Sequence, residues 1–173
     1  MKETDMSGKA ILGFSVWTSV VSAIFYHFYN MLPFGIGWIM FVCLGIFFGM
    51  GLKPKHTPAL LLTAYAGMAW GQFDFFLIWL FGLMGMASQA AMFWSITVGT
   101  TITMCIHLGP LKKTPLQYMP VIFAGVCLTF SQGGKNILGL AVTFAFGMAL
   151  CAVCFAGQAL FMKLFPQTEA QAH

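Results

Sequence analysis

The chain has 173 residues, of which 60% are hydrophobic and 7% charged, and its mean hydropathy is +0.87. A soluble domain covers its outside with roughly a quarter charged residues, so this composition excludes an ordinary soluble fold and fits a lipid bilayer as solvent. All eight cations are lysine and the net charge is +4, which excludes nucleic-acid recognition built on clustered arginine and leaves lysines that flank and orient spans.

A spanning helix needs about 20 mostly apolar residues. On that measure the sequence predicts an all-α polytopic bundle of six spans in one transmembrane domain covering 1–173. The first span is 9–28, closed by Tyr29-Asn30-Met31-Leu32-Pro33. Lys2 and Lys9 ahead of an apolar run resemble a signal peptide, but the rest of the chain is equally apolar, so an uncleaved first helix is expected. The second span is 34–51, closed by Leu52-Lys53-Pro54-Lys55-His56. Thr57-Pro58 opens the third, 57–73, with proline at the first helical turn.

The stretch 75–108 carries no charge. It is too short for two crossings and, at ~50 Å when straight, too long for one. One crossing with a bend or break near Gly82-Leu83-Met84-Gly85 is expected. Thr114-Pro115 opens the fifth span, 114–133, and 137–165 is the sixth, followed by a polar cytoplasmic tail at 166–173. Six crossings place the N-terminal lysines, Lys53/Lys55, Lys112/Lys113 and Lys163 on one side, which makes both termini cytoplasmic in a cell inner (plasma) membrane.

Lys-His-Thr-Pro at 55–58 and Lys-Lys-Thr-Pro at 112–115 each precede an Ala-Gly pair (Ala66-Gly67 and Ala124-Gly125). They read as helical hairpins repeated in parallel, a common transporter device. Gly45/Gly49 and Gly67/Gly71 are spaced one turn apart, a pattern for close helix packing within the bundle or between subunits.

Polar residues form stripes at helical spacing. Ser15, Ser19, Ser22 and Tyr26 share one face of the first helix, and Gln89, Thr100, Thr103 and His107 share one face of the fourth. Gln158 lies with Thr143, Cys151 and Cys154 on a broader face of the sixth. In lipid such groups turn toward other helices or a water-filled path. They are therefore either interhelical hydrogen-bonding groups or the lining of a narrow pore between the first, fourth and sixth helices. Asp74, the one acid between Asp5 and Glu169, is expected in a tight turn near the outer surface, with Gln72 and His27 as further mouth residues. The five cysteines lie within apolar runs and read as packing residues.

No metal-ligand run, cofactor motif, P-loop or nucleophile motif is found in the sequence, so neither an enzyme nor a bound metal or cofactor is expected. The compact hydrophobic layout, Gly45–Gly51 and Trp70-Gly71-Gln72-Phe73-Asp74 resemble a family of small bacterial inner-membrane proteins labelled only as of unknown function. In size and span count the chain is also similar to six-helix small-solute channels, such as acid-gated urea channels and acetate/succinate transporters. The Asn-Pro-Ala-Pro-type signature of the acetate group is absent, so that likeness is one of topology. The expected function is a self-associating channel, facilitator or transporter for a small neutral or weakly charged solute. The alternative is a non-transporting anchor or assembly subunit that works through helix packing.

Overall fold

The computed structural model describes residues 6–166, and among them it is all-helical, with six helices and no strand. The helices are α1 (Gly8–Tyr29), α2 (Ile39–Gly49), α3 (Thr57–Leu83), α4 (Ser88–Leu108), α5 (Met119–Ser131) and α6 (Ile137–Leu164). Four helical segments are long and apolar enough to cross a membrane, as expected of a membrane protein. The expected tail at 166–173 lies, apart from Pro166, outside the described residues.

Two expected spans are shorter than their apolar runs. With 11 and 13 residues, α2 and α5 measure ~17 and ~20 Å at 1.5 Å per residue, against a hydrocarbon core of ~30 Å. The missing length is taken up by hydrogen-bonded turns. Before α2, the Gly37 N–H donates to Asn30 Oδ1 at 3.1 Å. Before α5, Thr114 Oγ1 donates to the Leu111 carbonyl at 2.8 Å and accepts the Leu116 N–H at 3.2 Å. Thr57 does begin α3, whereas Thr114 lies in a turn and α5 begins only at Met119. The two Lys-x-Thr-Pro segments are therefore not equivalent starts, and the parallel-hairpin repeat is not found.

The boundary between the third and fourth helices is also corrected. The sequence placed it at Asp74, but α3 runs through Asp74 to Leu83 and the break falls at 84–87. In lipid a backbone leaves the helix only where its polar groups find other partners. Here Gly85 takes φ +83°, open to glycine without penalty. That lets the Met86 N–H reach the Phe81 carbonyl at 3.1 Å and close the last turn. The break expected near Gly82–Gly85 is thus real, but it separates two helices and does not bend one.

The chain forms two compact units. One holds residues up to Pro54 and from Phe146 onward; the other holds Lys55–Ala145. Each combines one long helix with a shorter pair. In the second unit α3 packs against both α4 and α5, and the Cβ position of Gly67 lies on the Ile122 carbonyl and 3.1 Å from Gly125 Cα. In the first unit the Cβ position of Gly147 on α6 lies 2.6 Å from Cys43 Sγ and 3.5 Å from Met40 Cα on α2.

These two contacts are copies of one arrangement. The motif Thr63-x-x-x-Gly67-Met68-Ala69 recurs as Thr143-x-x-x-Gly147-Met148-Ala149. Both threonines donate to the carbonyl one turn back, at 2.7 and 2.6 Å. At the same spacing Leu60, Gly71, Asp74 and Leu77 match Leu140, Cys151, Cys154 and Gly157, and all eight are buried. Short helices α2 and α5 end alike, with Gly51 and Gly133 at φ +61° and +60°. Leu52 N–H and Gly134 N–H each donate to a carbonyl within the helix at 3.0 Å. The long–short–long order of α1–α3 is repeated in α4–α6.

Candidate functional site

The long helix α3 carries the one acid of the described span region at depth. Asp74 lies one turn, ~6 Å, past the midpoint of Thr57–Leu83, and it is only 5% exposed. The expectation of a tight turn at Asp74 is therefore overturned, because α3 continues through it. Room for the carboxyl comes from Gly99 at the middle of α4, whose Cβ position coincides with Asp74 Oδ1. Ser95, one turn earlier on α4, donates its hydroxyl to the Asp74 backbone carbonyl at 2.6 Å. Asp74 Oδ1 itself is enclosed and has no hydrogen-bond partner.

Asp74 borders a cleft of about 410 Å³ lined by Ile96, Thr100 and Thr103 of α4 and by Phe123, Val126, Cys127 and Phe130 of α5. The volume lies in the range of small-molecule pockets, and an apolar wall with a few converging polar groups is their usual make-up. Thr100 and Thr103, singled out from the α4 stripe, both face this cleft. His107, from the same stripe, is 2% exposed and committed elsewhere. Its Nε2 accepts the Trp70 indole N–H at 3.0 Å, while Nδ1 lies 2.8 Å from the Leu116 carbonyl. Indole is only a donor and a carbonyl only an acceptor, so Nε2 serves as the acceptor and Nδ1 as the donor. His107 ties α3, α4 and the loop before α5 together.

The α1 stripe faces the matching place in the other unit. Thr18, Ser19, Ser22, Ala23 and Tyr26 of α1, with Phe41 and Leu44 of α2, line a groove of about 480 Å³. Position by position, Ser19 answers to Thr100, Ser22 to Thr103, Tyr26 to His107, Phe41 to Phe123 and Leu44 to Val126. The two polar stripes seen in the sequence are thus one stripe present twice. Where the second unit has Asp74 against Gly99, the first has the buried thiol of Cys154 beside the Thr18 and Ser22 hydroxyls. A side chain with atoms at Thr18 fits a compact thiol. A bare glycine fits the larger carboxyl.

The remaining candidates fall outside both clefts. Ser15 and Gln89 are exposed on their helices. Gln158 is half-buried, with its amide 3.9 Å from Met6 Sδ. His27 is exposed and edge-on to Phe28. Gln72, expected at a mouth, donates to the Gly134 carbonyl at 3.0 Å and so anchors the turn after α5. Of the packing glycines, Gly67 lies against α5 at Ile122 and Gly125, and Gly71 lies against Thr129. The Cβ positions of Gly45 and Gly49 meet nothing within 4 Å. Among the described residues no group of three or more His, Cys, Asp or Glu is placed to hold a metal ion.

What the sequence missed was the depth of Asp74 and its pairing with Gly99. The available signal was the duplicated Thr-x-x-x-Gly-Met-Ala motif, which puts Asp74 at the same helical position as an apolar-run cysteine. Compared with known proteins, residues 15–160 match the model of a family described as a protein of unknown function (DUF1097). No curated protein and no solved structure matches the chain.

Proposed function

We propose that this chain, which belongs to the DUF1097 family, moves a small solute across a membrane as a channel, facilitator or transporter, with the α3–α5 cleft as the seat for the solute. The observation that carries this reading is Asp74, a buried carboxyl at mid-helix with an unpartnered oxygen. Ionisable groups at that depth are costly, ~3 kcal/mol on insertion scales, and mark solute or ion pathways. The duplicated three-helix order supports the same reading, because transporters are often built from internal repeats.

The reading includes a cell inner (plasma) membrane with both termini cytoplasmic, supported by the lysine distribution, and no enzymatic activity. His107, the nearest general-base type of side chain in the sequence of α4, spends both ring nitrogens on Trp70 and Leu116. Proteoliposomes loaded with a panel of small solutes (urea, short-chain acids, polyols, alkylammonium ions) test it. Flux above empty vesicles for at least one solute is expected. Flux equal to empty vesicles for all of them discards transport.

One observation favours a second reading. Gly45 and Gly49 present an open, exposed small-residue face on α2, which suits a second helix approaching from another copy or another protein. Obligate co-purification with a second polypeptide, with no flux, would select that assembly role.

A further inference from the structure

The α3–α5 cleft combines three properties that together define a ligand chemistry. It is walled by Ile96, Phe123, Val126 and Phe130. Thr100 and Thr103 of α4 line it along one side. It is bordered by Asp74, 5% exposed, whose Oδ1 has no hydrogen-bond partner. The cations of this unit do not supply a counter-charge there, since Lys55, Lys112, Lys113 and Lys135 are all exposed, and His107 spends both ring nitrogens on Trp70 and Leu116.

The fold itself does not require an acid at this place. Its counterpart in the duplicated helix is Cys154, fully buried at the matching helical position but beside Thr18 where Asp74 lies against Gly99. A carboxyl enclosed against Gly99 with one oxygen unpartnered points to a role outside packing. A buried carboxylate without a partner is strongly unfavourable, and a bound positive charge removes that penalty.

We propose that the cleft binds a small organic monocation, a primary ammonium on a short apolar chain. The ammonium group sits at Asp74 and the two threonine hydroxyls, and the chain lies along the apolar wall. An inorganic ion fits less well, because hard cations want six or more oxygen ligands and the wall here is mainly hydrocarbon and aromatic. A phenyl face near an ammonium adds cation–π attraction. This names the solute class for the transport reading and rests on it for its biological meaning, while the binding itself is measured without flux.

The full chain in detergent is titrated with n-butylammonium and with butyramide, a neutral molecule of the same length. Expected are at least tenfold tighter binding of n-butylammonium and loss of that preference in Asp74→Cys, the residue the duplicated position already accepts. Cys127 is exposed and lines the cleft, whereas the exposed Cys105 is not among its lining residues. So n-butylammonium is also expected to slow N-ethylmaleimide labelling of Cys127 and leave Cys105 unchanged, a wild-type readout that needs no variant. Equal binding of the two probes, an unprotected Cys127, or a retained preference in Asp74→Cys overturns the proposal. Flux of neutral solutes without ammonium binding removes the cation reading alone; Asp74-dependent binding without any flux removes transport alone.

Discussion

At the scale of single residues, the Asp74–Gly99 pair is the tightest constraint. A Cβ at Gly99 would occupy the position of Asp74 Oδ1, so Gly99→Thr should destabilise by about 1–3 kcal/mol through overpacking, read as a lower melting temperature in detergent. The first unit shows the remedy, a threonine (Thr18) facing a cysteine (Cys154). The double variant Gly99→Thr/Asp74→Cys should therefore recover most of the loss, a coupling that independent sites do not show. Additive losses would contradict the equivalence of the two clefts. His107 offers a second check. Replacing it with leucine strips the Trp70 indole N–H of its acceptor, and a buried unpaired donor costs ~1–3 kcal/mol. A melting temperature unchanged in His107→Leu would mean that the Trp70–His107 bond is not made.

Among the helices, the glycines divide by what their faces touch. Gly67 and Gly125 bring the backbones of α3 and α5 together, each Cβ position falling within 3.1 Å of the other glycine's backbone. Gly67→Leu should separate α3 from α5 and lower the yield of folded protein. Gly45→Leu and Gly49→Leu add atoms to open space, so the melting temperature of the individual chain should be unaffected. If α2 is a contact between copies, both variants should instead shift the oligomer toward monomer in size-exclusion chromatography, as expected for a small-residue interface. The two Ala-Gly pairs that looked like repeat markers in the sequence are in fact opposite sides of one contact.

For the whole molecule, thiol chemistry reports on the packing. Cys43, Cys151 and Cys154 are buried, whereas Cys105 and Cys127 are exposed. Alkylation of native protein should modify Cys105 and Cys127 first, with the other three reacting only after unfolding in sodium dodecyl sulfate. Rapid native labelling of Cys151 or Cys154 would contradict the burial of the repeated α6 face. That face matches α3 through glycine, threonine and methionine at the same spacing, which is why two units of similar internal design arise from one chain order.

The sequence by itself determined the solvent, the helical class and the polar stripes, because these follow from composition and from periodicity along one helix. Too few charges exist to wet a soluble surface, and serines and threonines at helical spacing must fall on one face wherever the helix goes. Tertiary structure alone decided that α2 and α5 are short helices completed by hydrogen-bonded turns, that Asp74 lies at mid-helix, and that Thr100 and Thr103 share a cleft with it. The reason is that a charged side chain in an apolar run looks like a turn until another helix supplies the space for it. Here that space is the missing side chain of Gly99, a residue remote in sequence and adjacent only after packing.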